Sequence, residues 1–352
     1  MLFENVRIAA LGSALPAERV RSDELEARLA PLYGRLGLHA GRLELMSGIR
    51  ERRFWPPGTR PSEIASRAGA EALERAGIPR GSIGCLVHAS VCRDFLEPAT
   101  ASVVHHRLEL SPECEAFDLS NACLGFVNAM LVLASRIERG ELEAGLVVAG
   151  EDGRPLVERT LRALADASAG RAELTAAYAS LTIGSGGAAA VLTSARLAPA
   201  APRLAGGVSR AATEHHGLCS GDVAPGDTGP RMETDSEALL QAGNALALET
   251  WRRFTAELGW THESIDRVVT HQVGAAHRRL LFETLGLDVD KDFPTVGFLG
   301  NVGSVSLPVS LALAIEAGFI DPASHRVALL GIGSGIQCAM LGLAPPSPPT
   351  TT

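Results

Sequence analysis

Cys123, His271 and Asn301 are the residues whose types and settings in this 352-residue chain point most directly to chemistry. Cys123 stands in "FDLSNACLGFVNAM" (117–130), where a short apolar run gives way to a helical pattern carrying Leu124, Val127, Met130, Leu131 and Leu133 on or near one face. A thiol at a helix start faces unpaired N–H groups and the positive end of the macrodipole, which lowers its pKa and favours the nucleophilic thiolate. In "RVVTHQVGAAHRRLL", His271 follows an apolar strand and precedes a helix. In "FLGNVGSVSLPVSLALA", Asn301 lies in a glycine-flanked turn before another helix. The Gly-rich turn "LLGIGSGIQC" can bring the Ser334 N–H close to another group. Singly, each is ordinary: a small packed Cys, a structural His, a turn-capping Asn. Jointly they supply a thiolate, a general acid or base and an amide donor, with the N–H groups of Cys123 and Ser334 as an oxyanion site.

Residues so far apart in sequence need a scaffold that brings them together, and an internal repeat suggests one. "ALERAGIPRGSIGCLVHASV" (72–91) and "FTAELGWTHESIDRVVTHQV" (254–273) both read as helix, Gly stop, loop and strand, with Gly77 matching Gly259 and Ile83 matching Ile265. "LASRIERGELEAGLVVAGEDG" (133–153) likewise parallels "LALAIEAGFIDPASHRVALLGIGSG" (311–335). Continuous apolar strands alternating with helices indicate buried parallel or mixed sheet. The chain therefore reads as two similar α/β halves, 1–195 and 196–352, on a shared core. Residues 154–180 have no counterpart in the second half and read as a helical insertion, a lid or a tunnel wall.

Composition narrows the partners. A net charge of −8 argues against nucleic acid. The six cysteines show no CxxC or metal-like spacing and read as reduced thiols of a cytoplasmic protein with no metal. The N-terminal stretch reads as a first strand, and no apolar stretch suits a membrane span. The Pro-rich tail "APPSPPTT" reads as disordered.

"NACLGF", "HQV" and "GNVGSVSLP", with "SGIRERRF" and the terminal "GIGSG", resemble the thiolase superfamily in its ketoacyl synthase III branch, over nearly the whole chain. "RDFLEPATASVV" and "THQVGAAH" resemble the OleA-type acyl-CoA condensing subgroup most. The resemblance implies a thiolase fold, with duplicated α/β halves in an αβαβα layered core, and a Cys123 that takes an acyl group from coenzyme A. The branch usually has an apolar residue where this chain has Glu97. OleA-type enzymes resemble it in carrying Glu there, on a loop that reaches the neighbour's active site. The branch's CoA-contacting Trp and Arg have no match in "RLELMSGIR", so Arg50, Arg252 and Arg278 stand as phosphate candidates among several arginines.

The function implied is non-decarboxylative Claisen condensation of two acyl-CoAs to a β-keto acid, with CoA thioesters as substrates and no further cofactor. A homodimer is expected, with "CLVHASV" (85–91) and "CEAFDL" (114–119) supplying interface strands. Downstream enzymes of the same lipid pathway are potential partners. One alternative is decarboxylative 3-oxoacyl-acyl carrier protein synthesis, which needs no α-proton base; another is a non-catalytic subunit of a thiolase-fold complex.

Overall fold

A computed structural model describes residues 1–222 and 229–346; most of the Pro-rich tail lies outside them. Nine strands form the main sheet: β1 (Val6–Ala14), β2 (Ile83–His88), β3 (Glu115–Asp118), β4 (Ala144–Glu151), β5 (Gly186–Ser194), β6 (Arg203–Ala211), β7 (Arg267–Thr270), β8 (Val327–Gly333) and β9 (Gln337–Ala344). Their order is β7-β8-β9-β6-β1-β5-β4-β2-β3. The halves mirror each other in pairing. β2 and β4 run parallel, β4 and β5 antiparallel, and β5 and β1 antiparallel; β7 and β8, β8 and β9, and β9 and β6 repeat that series. Where β3 flanks β2, an isolated parallel bridge from Val268 to Asp292 flanks β7. The half-sheets meet through one registered pair, Arg7 with Arg203.

Alternation along the strands builds the layers, because successive side chains point to opposite faces. Val147 and Ala149 of β4 face a central core with Leu329 of β8 and Leu341 of β9. That core also holds Phe126, Met130 and Leu133 from the helix Gly125–Glu138, and Leu307, Leu311 and Ala314 from the helix Ser306–Glu316. Leu146 and Val148 face outward onto the helix Pro61–Ala76. Leu330 and Met340 face outward onto the helices Ser236–Leu258 and Ala275–Leu285. The result is the αβαβα stack of the thiolase fold.

Both repeated helix-to-strand units close on glycine in the left-handed region, Gly77 at φ 62° and Gly259 at φ 64°. The 154–180 segment forms the helices Arg154–Leu164 and Arg171–Ala177. Val157, Leu161, Leu164 and Leu174 pack there against Leu25, Leu29, Leu32 and Leu43 of the short N-terminal helices. One expectation is corrected: β2, within "CLVHASV", is paired on both sides and fully internal, so it cannot offer a free edge. β3, within "CEAFDL", is the terminal strand of the sheet. Among the described residues no helix is long and apolar enough to cross a membrane.

Candidate active site

The chain carries Cys123 out of β3 through Leu119 and into a 3₁₀ turn, Ala122–Leu124, that precedes the Gly125–Glu138 helix. Ala122 takes φ 45°, a left-handed conformation that costs a residue with a Cβ. The turn is held from the second half: Asn121 and Gln337 exchange amide hydrogen bonds, both 3.1 Å. It also lies close under β8, where a Cβ on Gly333 would come within 3.0 Å of Leu124. Cys123 stays partly exposed.

The backbone N–H groups of Cys123 and Ser334 act on the Cys123 sulfur in the direction that favours the thiolate. One belongs to each half. They lower the thiol pKa but do not prevail. Burial, then the Glu151 carboxylate and the Cys219 thiol, push it up to about 12. The expected depression by a helix start is therefore reversed: desolvation of the thiolate outweighs the dipole. The sulfur is a protonated thiol at neutral pH.

His271 follows β7 directly, its N–H donating to Leu330 O at 2.8 Å. Residues on both sides of it are gripped by one buried carboxylate, Asp292, which accepts from Thr270 Oγ1 at 3.2 Å and from Gln272 Nε2 at 3.3 Å. Gln272 Oε1 in turn accepts from the N–H groups of Thr295 and Val296. Burial raises the Asp292 pKa to about 6, although Arg278 opposes the shift through a 2.5 Å bond from Nε. Burial, helped by the neighbouring His277, lowers His271 to about 4, so its imidazole is neutral at physiological pH. The His271 Nδ1 is buried with no partner among the described residues.

Asn301 sits between Gly300, at φ 71°, and the turn Gly303–Val305 that opens the Ser306–Glu316 helix. Its backbone bonds Thr182 O and Gly184 N–H, both at 2.9 Å, and its Oδ1 accepts from Gly303 N–H at 3.1 Å. Ser306 Oγ accepts from the Gln272 N–H at 3.3 Å, which joins the histidine segment to the asparagine segment. The Gly303–Val305 turn in turn contacts the Ala122–Leu124 turn. Cys123, His271 and Asn301 are thus linked through neighbouring contacts at the ends of β4, β7 and β8. Glu97 is not part of this network. It is exposed on the loop between β2 and the Thr100–Arg107 helix, beside exposed Val91, Phe95 and Leu96, and forms no hydrogen bond or ion pair among the described residues.

The relatives agree with this architecture. A family model described as 3-oxoacyl-[acyl-carrier-protein (ACP)] synthase III C terminal matches residues 255–343. The acyl-CoA:acyl-CoA alkyltransferase of Shewanella oneidensis is 40% identical over 350 residues, covering 97% of this chain and 99% of that one. The chain belongs to the thiolase superfamily, in its OleA-type acyl-CoA:acyl-CoA alkyltransferase family. A crystal structure of Xanthomonas campestris OleA superposes with a TM-score of 0.93 at 39% identity, over 98% of this chain and 99% of that one. Other solved forms of that protein carry cerulenin, or lauric acid and lauroyl-CoA. A β-ketoacyl-[acyl-carrier-protein] synthase III of Neisseria meningitidis is more distant, 27% identical over 340 residues, covering 95% of this chain and 97% of that one.

Within this family member the basic candidates separate. A cavity of about 570 Å³ opens beside the helix that follows His271, lined by Gly48, Ala275, Arg278, Arg279, Phe282 and Gly297 among others. Arg278 reaches it but is committed to Asp292 and to Val289 O, so it braces the histidine segment. Arg50 is exposed next to the cavity, its N–H bonded to Gly297 O. Arg252 is exposed on the Ser236–Leu258 helix and does not line the cavity. Arg279 lines it and is exposed. Sequence reasoning missed Glu151, Asp292 and Cys219. A Glu closing an apolar run, an Asp in "DKDF" and a lone Cys carry no signal of burial beside Cys123 or His271.

Proposed function

We propose that this chain condenses two acyl-CoA molecules head to head without loss of CO2. The observation that carries the reading is the placement of Cys123 in the turn Ala122–Leu124, packed under the Gly333 end of β8 from the opposite half, in a chain 40% identical to acyl-CoA:acyl-CoA alkyltransferases. Cys123 attacks the first thioester carbonyl. The new S–C bond replaces the bond to CoA, and the thiol proton leaves with the CoA sulfur. The Cys123 and Ser334 N–H groups stabilise the oxyanion of that step. A base then takes the α-proton of a second acyl-CoA, and the enolate oxygen is met by His271 and Asn301. The α-carbon attacks the Cys123 thioester and frees the thiolate, and the proton held by the base restores the thiol. Hydrolysis of the resulting β-ketoacyl-CoA gives a β-keto acid and CoA.

Glu97 of a second subunit serves as that base. Its exposure, the apolar residues around it and the terminal position of β3 support a homodimer in which this loop enters the neighbouring site. Arg50 and Arg279 are the cationic groups best placed for CoA phosphates at the cavity mouth. The reaction needs no cofactor beyond the coenzyme A that the substrates bring. Six free cysteines suit a reducing, cytoplasmic setting.

The test is incubation with a single acyl-CoA and no malonyl donor, with product masses recorded. A β-keto product built from two acyl chains is expected. A product formed only when malonyl thioester is added supports the decarboxylative reading instead. Mixing Glu97→Ala and Cys123→Ala chains should restore part of the activity lost in each. Mixed dimers that form and stay inactive would place the base elsewhere.

A further inference from the structure

The Glu151 carboxylate has no part in the steps above, yet it lies beside them. It ends β4 at 4% exposure and accepts four hydrogen bonds. Oε1 takes the N–H of Val91 at 2.8 Å, the N–H of Ser304 at 3.3 Å and the hydroxyl of Ser304 at 2.6 Å; Oε2 takes the N–H of Cys92 at 3.0 Å. No cation pairs with it among the described residues, so neutral donors alone offset its burial. Those donors come from two places that matter. Val91 and Cys92 begin the loop whose tip is Glu97, and Asp94 anchors the same loop by accepting from the Ser62 N–H and hydroxyl. Ser304 lies in the turn whose Gly303 N–H binds the Asn301 side chain.

We propose that Glu151 is a positioning residue for condensation, fixing the Glu97 loop and the Asn301 turn in one relative placement. The inference rests on the roles given above to Glu97 and Asn301. Glu151 also acts electrostatically on the Cys123 thiol. The groups that act on the Cys123 sulfur are Glu151 and the Cys219 thiol, which disfavour the thiolate, and the N–H groups of Cys123 and Ser334, which favour it. Glu151→Gln therefore has two consequences of opposite sign. Loss of the charge eases ionisation of Cys123. The amide can keep the three bonds at Oε1, but it then sets an NH2 group against the Cys92 N–H and loosens the Glu97 loop.

The experiment compares wild type, Glu151→Gln, Glu151→Asp and Ser304→Ala in three assays: thermal unfolding, iodoacetamide alkylation of Cys123 against pH, and single-turnover condensation by pre-acylated enzyme. Glu151→Gln should alkylate at lower pH than wild type, load acyl groups at a near-normal rate and condense about tenfold more slowly, the order for one charge-assisted bond. Glu151→Asp keeps the charge, so it should recover part of the condensation rate without the alkylation shift. Ser304→Ala, which removes one bond and spares the charge, should condense several-fold more slowly with an unshifted alkylation profile. This variant decides the matter if Glu151→Gln fails to fold: normal condensation by Ser304→Ala then overturns the proposal. Normal condensation by Glu151→Gln overturns it directly. Equal loss of loading and condensation with a lowered unfolding temperature also overturns it, since that is the mark of a purely structural residue. A wild type that loads Cys123 but forms no product from acyl-CoA alone removes the proposed reaction and this inference together. A wild type that condenses beside an equally active Glu151→Gln removes the inference alone.

Discussion

At the end of β4 the first half reaches across to the Gly303–Val305 turn with a carboxylate. At the end of β8 the second half packs its bare backbone at Gly333 against the Ala122–Leu124 turn. The two turns hold corresponding places, each a single 3₁₀ turn before a central-layer helix, so Cys123 and Ser304 are counterparts. The side chain at the strand end separates their uses. Glu151 occupies its crossing and turns Ser304 into a bonded strut. β8 ends in Gly333, which leaves room for the Cys123 turn and an open N–H at Ser334. Backbone conformation differs in the same sense. The nucleophile turn forces a left-handed alanine, Ala122, while the bracing turn uses glycine, Gly303, at φ 59° without that cost. Duplication supplied two equivalent junctions, and only the one without a strand-end side chain offers an electrophile both a thiol and free donors.

Removing the nucleophile breaks the comparison most severely. Cys123→Ala should show no acyl adduct by intact mass, and product should fall to background. Asn301→Ala touches only the turn in the second half. It should still load acyl groups but condense at least about tenfold more slowly in single-turnover assays, the order of a lost oxyanion donor. Gly333→Ala fills the space that the Cys123 turn needs. With a Cβ 3.0 Å from Leu124, acyl loading should slow several-fold and stability should fall by about 1–3 kcal/mol in denaturant titration. The pH response sharpens the electrostatic side. A thiol raised to about 12 is alkylated slowly at neutral pH and faster as pH rises toward that value. Because His271 is lowered to about 4, it stays neutral on mild acidification, and protonation of this ring should not reduce turnover until pH approaches that value. The smallest effect belongs to the amide pair under the nucleophile turn. Asn121→Ala should cost about 1 kcal/mol in the same titration and leave chemistry nearly intact.

The sequence made the scaffold readable because duplication left glycine stops and apolar strands at matched spacings, as at Gly77 and Gly259. It also marked Cys123, His271 and Asn301, since each sits at a strand or turn end before a helix, where side chains are presented rather than packed. It could not show the sign of the Cys123 shift. Proximity to a helix start is local, whereas the burial and the Glu151 charge that outweigh it come from residues distant in sequence. Glu151 and Asp292 were invisible for the same reason. Their donors, Val91, Cys92 and Ser304 for one and Thr270, Gln272 and Arg278 for the other, assemble only in the fold. The misassigned interface strand had a simpler cause: "CLVHASV" and "CEAFDL" are both short and apolar, and only strand order tells which one is terminal.

The central claim is that the crossing at Cys123 is where the first acyl group is held. The most direct measurement is intact-mass analysis of Glu97→Ala after addition of one acyl-CoA, followed by peptide mapping, because loss of the proposed base should stall the enzyme with its first substrate attached. One acyl group per chain, located on the peptide containing Cys123, is the result expected. An adduct on Cys92, Cys219 or Cys338, or a stalled enzyme with no covalent acyl group at all, would contradict it.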